Sequence, residues 1–390
     1  MKENLLLEHA FVSRARVRVG PSGNSELAHY GRLSSSLYRK RIHRNSDQIS
    51  VTLGGTVRRT EPAQHAGEIG DIQNGRVARL TVIICTRNRE REIVAAVESL
   101  IRQKRLPDEL IVVDSGEGDS LETTLRESIA GRFPFVYERS SSGLPRQRNR
   151  GVALATGELL LFLDDDVILD EAYIGEITGF FERDTERRFH GAQGAITTKS
   201  LTAGGSYRWR GGLRRLAGGF VRKVFLLPGV ADGKFKRSGF ITIAGGDQPR
   251  EIDFVAGGCM SFRREVFDEI AFDEHLTDYA WMEDLDISRQ FKERGYRAYY
   301  WPHASLVHYV TPSSRTAPFD LGRMMARNQH YLFKKHSDGS WGDTAAFWWS
   351  CLGQVLWSFG RGDRRLAASY ALEMWRIISR GNPLLGEGRT

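Results

Sequence analysis

The chain has 390 residues, of which 41% are hydrophobic and 27% charged, an ordinary balance for a soluble globular protein with a large core. Its net charge of +8 suits nucleic acid, an anionic membrane surface or a phosphorylated substrate. However, the lack of zinc-finger spacing, an RNP-like aromatic motif and a Walker loop argues against nucleic acid. Three widely spaced cysteines argue against a disulfide framework, and no apolar run reaches the roughly 20 residues of a spanning helix.

Residues 1–78 are interpreted as an N-terminal extension. They are rich in Arg, Ser, Gly, His and Gln, and their periodicity is poor apart from one candidate strand at 49–53. Such a composition buries little apolar surface, so we expect this extension to be partly disordered or loosely attached.

From Leu80 onward, strands alternate with helices. Buried strands are predicted over 80–85, 109–113, 135–138 and 159–163, with helices at 93–101, at 121–129 and just before Gly157. This alternation predicts a parallel sheet built from βαβ units. Thr86, Asp114 and Asp164 each follow a strand, so they are expected along the sheet edge where such folds bind ligands. No G-x-G-x-x-G follows the first strand, which argues against a dinucleotide site.

An acidic run, Asp164-Asp165-Asp166, follows the strand at 159–163. Three adjacent carboxylates repel one another, and an apolar core cannot satisfy them. A hard divalent metal is the obvious partner, while a solvated acidic turn is the simpler alternative. For the acidic run alone, the solvated turn is favoured.

A second group of acids follows a glycine pair. Residues 252–262 are predicted to form a strand broken at Gly257-Gly258, and glycine within a strand often marks the close approach of a ligand. Glu283, Asp284 and Asp286 then open a helix that should end at Gly295. Acids near a helix start also suit the helix dipole, which is the purely structural alternative. Short strands at 298–301 and 305–308 follow.

Two basic segments remain. In 206–225, an apolar helical stripe lies among Arg and Lys residues, which fits either a mobile loop or a surface that contacts phosphate or membrane. Residues 311–390 are predicted to be helical and basic, and 345–359 is a Trp-rich segment that suits a buried or an interfacial helix. We therefore expect a cytoplasmic protein with peripheral contact on the inner face of the membrane.

Taken in order, these motifs resemble the family-2 glycosyltransferases with the GT-A fold. The matching motifs are Thr86-Arg87-Asn88-Arg89, Val113-Asp114-Ser115-Gly116, Arg148-Asn149-Arg150-Gly151, Asp164-Asp165-Asp166 as D-x-D, Gly257-Gly258 with Phe262-Arg263-Arg264, and Glu283-Asp284 with Asp286 as the E-D motif. Each motif is weak alone, but six in the family's order are specific. The resemblance implies a GT-A domain at 79–310, with an open, mostly parallel sheet flanked by helices, and a helical C-terminal region at 311–390.

The resemblance also implies residue roles. Asp284 would be the catalytic base, and Asp164, Asp166 and His308 would hold Mg²⁺ or Mn²⁺, with His303 as the less favoured ligand. The nucleotide-sugar-binding residues would be Thr86, Arg87, Asp114, Arg148, Asn149, Asp164 and Asp165. The acceptor side would contain Gly257, Gly258 and Glu283. For His308, packing against Tyr309 or a hydrogen bond to the backbone is the structural alternative.

The implied reaction transfers a sugar from a nucleotide-diphosphate sugar to a hydroxyl of a glycan or lipid-linked acceptor, in polysaccharide or glycolipid synthesis. A single displacement inverts the anomeric configuration and needs no second carboxylate as nucleophile. The first alternative is a nucleotidyltransferase, but the turn after the first strand is not a Gly-rich phosphate loop. The second is a non-catalytic nucleotide-sugar or glycan-binding protein, against which the intact Asp166 and Asp284 argue.

Overall fold

The computed structural model describes residues 78–200, 219–277, 280–310 and 317–386, together with four short strands nearer the N-terminus. The chain divides into two compact units, Met1–Ala66 and Gly67–Thr390. In the first unit, Lys40–Asn45 pairs antiparallel with Gln48–Leu53, which contains the strand predicted at 49–53. Arg18–Val19 pairs with Ser25–Glu26 in the same way. The expected disorder of the extension lies outside the described residues.

The second unit begins with the predicted βαβ pattern. In chain order its first elements are β1 (Leu80–Thr86), α1 (Glu90–Ile101), β2 (Glu109–Asp114), α2 (Ser120–Ile129), β3 (Phe135–Arg139), α3 (Leu144–Leu154), β4 (Leu159–Leu163), β5 (Val167–Leu169) and α4 (Tyr173–Arg183). The elements that follow are β6 (Gly191–Ser200), β7 (Gly229–Ala231), β8 (Thr242–Ala244), β9 (Arg250–Ile252), β10 (Cys259–Arg263), α5 (Glu283–Glu293) and β11 (Ala298–Val310).

Nine of these strands form one mostly parallel sheet. The order is β9-β11-β6-β10-β4-β1-β2-β3, and β5 pairs with β11 off this path. β1 is parallel to both β2 and β4, whereas β10 lies antiparallel between β4 and β6. Thus the sheet is open, and the carboxyl ends of β1, β2 and β4 meet at one edge, as predicted.

The core lies on both faces of this sheet because side chains alternate along each strand. In β1, Val82 and Ile84 face the cluster that includes α1, α2 and α4. The intervening Ile83 packs in the opposite cluster, which contains Phe262 from β10 and Phe291 from α5. Strands buried on both faces explain the continuous apolar runs in the sequence.

The prediction of one broken strand at 252–262 is wrong in one respect. The structure has two separate strands, β9 and β10, with residues 253–258 outside the sheet. Between them, the backbone N–H groups of residues 255–257 bond to side chains instead of a neighbouring strand. Val255 N–H donates to Ser288 Oγ at 3.1 Å, Ala256 N–H to Gln193 Oε1 at 2.8 Å, and Gly257 N–H to an Asp284 oxygen at 3.0 Å. The two short strands predicted near 298–308 are instead one long strand, β11, with an irregular register opposite β6.

The C-terminal region is helical over its described residues, as predicted. Its helices are α6 (Pro318–His336), α7 (Trp341–Gly360) and α8 (Arg364–Arg380), followed by a 3₁₀ turn at Pro383–Leu385. They share a small core that contains Phe333, Phe347 and Tyr370. Across the described part of the chain, no helix is both long enough and apolar enough to cross a membrane.

Candidate active site

The acidic run lies at the end of β4, and its two later carboxylates are held by one arginine. Arg89 donates to Asp165 Oδ1 at 2.6 Å and to Asp166 Oδ2 at 2.7 Å. Thr86, at the end of the neighbouring β1, donates its hydroxyl to Asp165 Oδ2 at 2.8 Å. Asp165 and Asp166 are buried, so the run is not a solvated turn.

These contacts set the protonation of the acids in opposite directions. Burial raises the pKa of Asp165 to about 7, although Arg89 and Thr86 oppose this shift. Burial also acts on Asp166, but hydrogen bonds from His308 and Arg89 outweigh it and lower the pKa of that carboxyl. Asp166 therefore stays ionised, as a metal ligand must be.

His308 lies beside Asp166 because of strand pairing. In the register of β5 and β11, His308 is opposite Val167, and Tyr309 N–H donates to Asp166 O at 2.8 Å. The His308 Nε2 atom is 2.9 Å from Asp166 Oδ1.

Together with Asp164, these two residues form a group whose ligand atoms all lie within 4.8 Å of one another. Two ligands on one Mn²⁺ or Mg²⁺ ion can be at most about 4.4 Å apart, because each bond is about 2.0–2.2 Å long. Two carboxylates and one imidazole at this spacing fit such an ion after small movements. Their donor set favours Mn²⁺-like metals over Mg²⁺.

Arg148 connects the first acidic group with the second. This side chain on α3 is buried, and it donates to Glu283 Oε1, to Asp164 Oδ1 at 3.4 Å and to Gly257 O at 3.3 Å. Its guanidinium also lies over the Phe272 ring, 5.4 Å from the centroid. One guanidinium thus faces acids from both ends of the cleft, and burial of Glu283 raises the pKa of that carboxyl despite Arg148.

Asp284 lies in the first turn of α5, and the backbone orients its carboxylate. Gly257 N–H donates to Oδ2 at 3.0 Å and Leu285 N–H donates to Oδ1 at 2.9 Å. Burial raises the pKa of Asp284, against the effect of these hydrogen bonds and of Arg148. A carboxyl with a raised pKa and a fixed orientation is suited to accept a proton.

The glycine pair lies between the two acidic groups. A Cβ atom on Gly257 would be 3.1 Å from Glu283 Oε1 and 3.4 Å from Asp284 Oδ2, and one on Gly258 would be 3.3 Å from Asp164 Oδ2. Acids of the first and the second group therefore lie against the same dipeptide, and a side chain at either glycine would crowd them.

The third acid of the second group has a different function. Asp286 is fully buried, with Lys335 Nζ at 2.8 Å and His336 Nε2 at 2.7 Å from its Oδ1 atom. It therefore joins α5 to α6. Because it is engaged by these two side chains, Glu283 is the closer alternative to Asp284 for the base.

The remaining predicted residues surround the cleft but are engaged within the protein. Asp114 is buried at the end of β2, where Tyr137 OH donates to it at 2.6 Å and Arg139 at 2.8 Å. The Asn149 side chain donates from Nδ2 to Phe272 O at 2.9 Å and accepts from Phe272 N–H at Oδ1 at 3.0 Å. Arg87 donates to Ser142 Oγ at 2.8 Å.

Sequence reasoning assigned no role to Arg89. Its only signal was a cation in the turn after β1, the strand that neighbours the acidic end of β4.

Comparison with known proteins relates the first part of this domain to a family. The model for glycosyl transferase family 2 matches residues 81–271. A cholesterol galactosyltransferase of Borreliella burgdorferi is 30% identical over 91 residues, which are 23% of this chain and 25% of that relative. The O-antigen biosynthesis protein RfbC of Myxococcus xanthus is 24% identical over 242 residues, which are 61% of this chain and 18% of RfbC. A glucosyl-3-phosphoglycerate synthase of Mycolicibacterium smegmatis is 29% identical over 120 residues, which are 28% of this chain and 39% of that enzyme. The chain thus spans well under half the length of these relatives.

Two solved structures also match the chain at low similarity. One is GalNAc-T7 with UDP, GalNAc and Mn²⁺, with a TM-score of 0.48 and 15% identity, covering 79% of this chain and 59% of that one. The other is the mannosyltransferase PcManGT of Pyrobaculum calidifontis with GDP-Man and Mn²⁺, with a TM-score of 0.48 and 16% identity, covering 81% and 84%. These similarities are too low to carry a conclusion about substrate.

Proposed function

Because the chain belongs to glycosyl transferase family 2 through residues 81–271, we propose that it transfers a sugar from a nucleotide-diphosphate sugar to an acceptor hydroxyl, with inversion at the anomeric carbon. The observation that carries this proposal is the Gly257-Gly258 contact with both Asp284 and Asp164. It brings a proton acceptor and a metal-binding acid next to the same dipeptide. An in-line displacement needs this arrangement.

Asp284 is proposed as the base that removes the acceptor proton. The Gly257 N–H group holds one of its oxygens in place, and burial raises its pKa towards the range useful at neutral pH. Asp164, Asp166 and His308 would hold a divalent metal, which when bound supplies the positive charge that a departing diphosphate requires. Arg148 bridges Asp164 and Glu283 by donating a hydrogen bond to each.

The nucleotide is proposed to bind at the ends of β1 and β2. Thr86 and Asp114 are paired in the register of these strands, and Arg87 follows them at the exposed rim. Asp165 and Asn149 are proposed to shape this part of the cleft, since their side chains bond to Thr86 and to the Phe272 backbone. The acceptor is proposed to approach from Gly257, Gly258 and Glu283.

The class of acceptor does not follow from family membership. The names of the three relatives refer to cholesterol, O-antigen and 3-phosphoglycerate, which differ in size, charge and solubility. A place in polysaccharide or glycoconjugate synthesis, with a glycan or lipid-linked acceptor, is therefore proposed from the family as a whole.

Peripheral contact with an anionic membrane surface, on its cytoplasmic face, is also proposed. The outward side of α7 is an unbroken apolar stripe that comprises Trp341, Ala345, Trp349, Leu352, Leu356 and Phe359. On α8, Leu372, Trp375 and Ile378 are exposed as well. Arg222 and Arg361 lie over the Trp357 ring, and Arg364 lies over Phe359.

Cations beside exposed aromatic and aliphatic side chains match an interfacial surface. Pairing of two copies through the same patch would bring these cations face to face, so a lipid surface is the favoured occupant. Of the segment predicted at 206–225, only its final part is described, and there Trp349 Nε1 donates to Val224 O at 2.8 Å and stacks on Phe225. The rest of that segment lies outside the described residues.

The test is release of nucleoside diphosphate from a panel of nucleotide sugars in the presence of Mn²⁺ and candidate acceptors. Asp284→Asn keeps the shape of the side chain but cannot accept the proton, so turnover should fall about 10²–10⁴-fold while nucleotide binding is kept. The exposed Asp268→Asn serves as the control and should behave like the wild type. Wild-type turnover in Asp284→Asn would move the base to another residue, with Glu283 first. Failure to bind any nucleotide sugar would refute the proposed function.

A further inference from the structure

A cavity of about 450 Å³ lies between α5, α6 and the turn at residues 235–240. Its apolar wall includes Phe235, Phe240, Met282, Leu285, Leu332 and Phe347. This volume is in the range of small-molecule sites, which combine apolar walls with a few polar groups. None of the roles assigned above uses this space.

Arg289 supplies one of those polar groups. It lines the cavity from α5 and is half-buried, with its guanidinium 4.0 Å from the centroid of the Phe235 ring. With the described residues it forms no hydrogen bond and no ion pair. A guanidinium offers five donors and is always charged, so a half-buried one of this kind indicates an anionic ligand.

Ser238 supplies a second, independent signal. Its side chain lines the cavity and is fully buried, and its hydroxyl has no hydrogen-bond partner among the described residues. The surrounding turn is closed by Gly239 N–H donating to Lys236 O at 3.0 Å, with Gly239 at a φ of 80°. Buried hydroxyls are nearly always bonded, so an unpartnered one beside a cavity indicates a bound acceptor atom.

The net charge of the residues that line the cavity is positive, which also favours an anionic ligand. Four cations, Lys236, Arg237, Arg289 and Lys292, face two carboxylates, Asp338 and Asp343.

Three of the cations are already engaged. Lys236 donates to Leu227 O, Arg237 pairs with Asp343, and Lys292 Nζ lies 2.7 Å from Asp253 Oδ2. Arg289 is thus the cation left for a ligand among the described lining residues.

We propose that this cavity binds an anionic group, a phosphate or a carboxylate, carried by the acceptor substrate. The assignment to the acceptor rests on the proposed function. Met282 and Leu285 line the cavity and flank Glu283 and Asp284 in sequence, so a ligand in the cavity lies against the turn that carries the base. Arg289 is five residues beyond Asp284, about 7.5 Å along the helix axis.

Calorimetric titration of the full chain with glycerol 3-phosphate and, separately, with glucuronate tests the cavity and distinguishes phosphate from carboxylate. Arg289→Met should weaken binding of the preferred anion about ten- to hundredfold, the range for hydrogen bonds to charged groups. Ser238→Ala should weaken it about tenfold while leaving the melting temperature unchanged, because its hydroxyl has no partner to lose. This second variant keeps the test valid if Arg289→Met folds poorly.

Arg294→Met is the matched control, since Arg294 directly follows the same helix but pairs with Glu269 at 3.0 Å, outside the cavity. The affinity of Arg294→Met for the preferred anion should equal that of the wild type. Equal affinities in the wild type, Arg289→Met and Ser238→Ala, or no binding of either anion, would overturn the proposal. Nucleotide-sugar binding measured on the same samples separates the two conclusions, because its loss with intact anion binding counts against the proposed function alone.

Discussion

Removing Arg148 should leave a variant whose stability falls as the pH rises from 5 to 7. Arg148→Met leaves Glu283 buried without its cation, and Glu283 must then remain charged or take up a proton. Breaking a buried ion pair costs about 3–5 kcal/mol. Protonating a carboxyl of ordinary pKa near about 4.3 costs about 3.7 kcal/mol at pH 7 but only about 1 kcal/mol at pH 5. The protonated form is therefore the cheaper or equal choice at both pH values.

The sign of the pH dependence follows from proton uptake. In the variant, folded Glu283 keeps its proton while the unfolded chain releases it above about pH 4.3, so stability falls as the pH rises. The unfolding entropy is about 2.1 cal/mol/K per residue, over the roughly 320 residues of Gly67–Thr390. Each kcal/mol of lost stability therefore lowers the melting temperature by about 1.5 °C. The melting temperature of the variant should thus fall by about 4 °C between pH 5 and pH 7 through Glu283 alone. The lost contacts with Asp164 and Gly257 lower it equally at both pH values.

Differential scanning calorimetry in the presence of a chelator measures this difference. Adding Glu283→Gln to the variant should remove the pH dependence, because no buried carboxyl then remains to be protonated. Arg146→Met, two residues away on α3, is the control, since Arg146 is exposed and pairs with the exposed Glu274. A melting temperature of Arg148→Met that does not fall between the two pH values, or a fall that survives Glu283→Gln, would refute the reasoning.

Three further predictions follow from other contacts. His308→Ala should weaken Mn²⁺ binding at least about tenfold in a titration with nucleoside diphosphate present. The control His303→Ala, at an exposed position, should leave the affinity unchanged. Equal affinities in the two variants would remove His308 from the site. Leu356→Asp with Trp375→Asp should abolish co-sedimentation with anionic vesicles, and unchanged sedimentation together with a lost dimer would show that the patch joins two copies instead. Burial lowers the pKa of His330 to about 4, so stability should decline as the pH falls from about 6.5 towards 4. His330→Gln should flatten that part of the stability profile measured by denaturant unfolding, and an unchanged slope would contradict this origin.

Much of the fold could be predicted because its signals are local. Strands buried on both faces produce continuous apolar runs, and parallel strands bring their carboxyl ends to one edge. These two facts place Thr86, Asp114 and Asp164 together without knowledge of the packing, and the register of β1 with β2 and β4 agrees. The break at Gly257-Gly258 was foreseen, but the exit of residues 253–258 from the sheet was not, because it depends on hydrogen bonds to side chains of distant elements.

The composition of the candidate site was predictable, but its pairing was not. Arg148 and Glu283 are 135 positions apart, and Arg89 and Asp166 are 77 apart, so no spacing rule connects them. With 56 lysines and arginines in the chain, charge alone cannot select which cation meets which acid.

Asp284 and Asp286 show the same limit within a single motif. They are two residues apart, and successive residues of a helix are about 100° apart around its axis, so the two side chains point in widely different directions. Because α6 packs against α5, Asp286 contacts Lys335 and His336. Asp284 instead accepts a hydrogen bond from Gly257 N–H and faces the cleft. The sequence by itself determined that acids would open this helix, whereas the tertiary structure decided which of them faces the cleft, because only the packed neighbours distinguish one side of a helix from another.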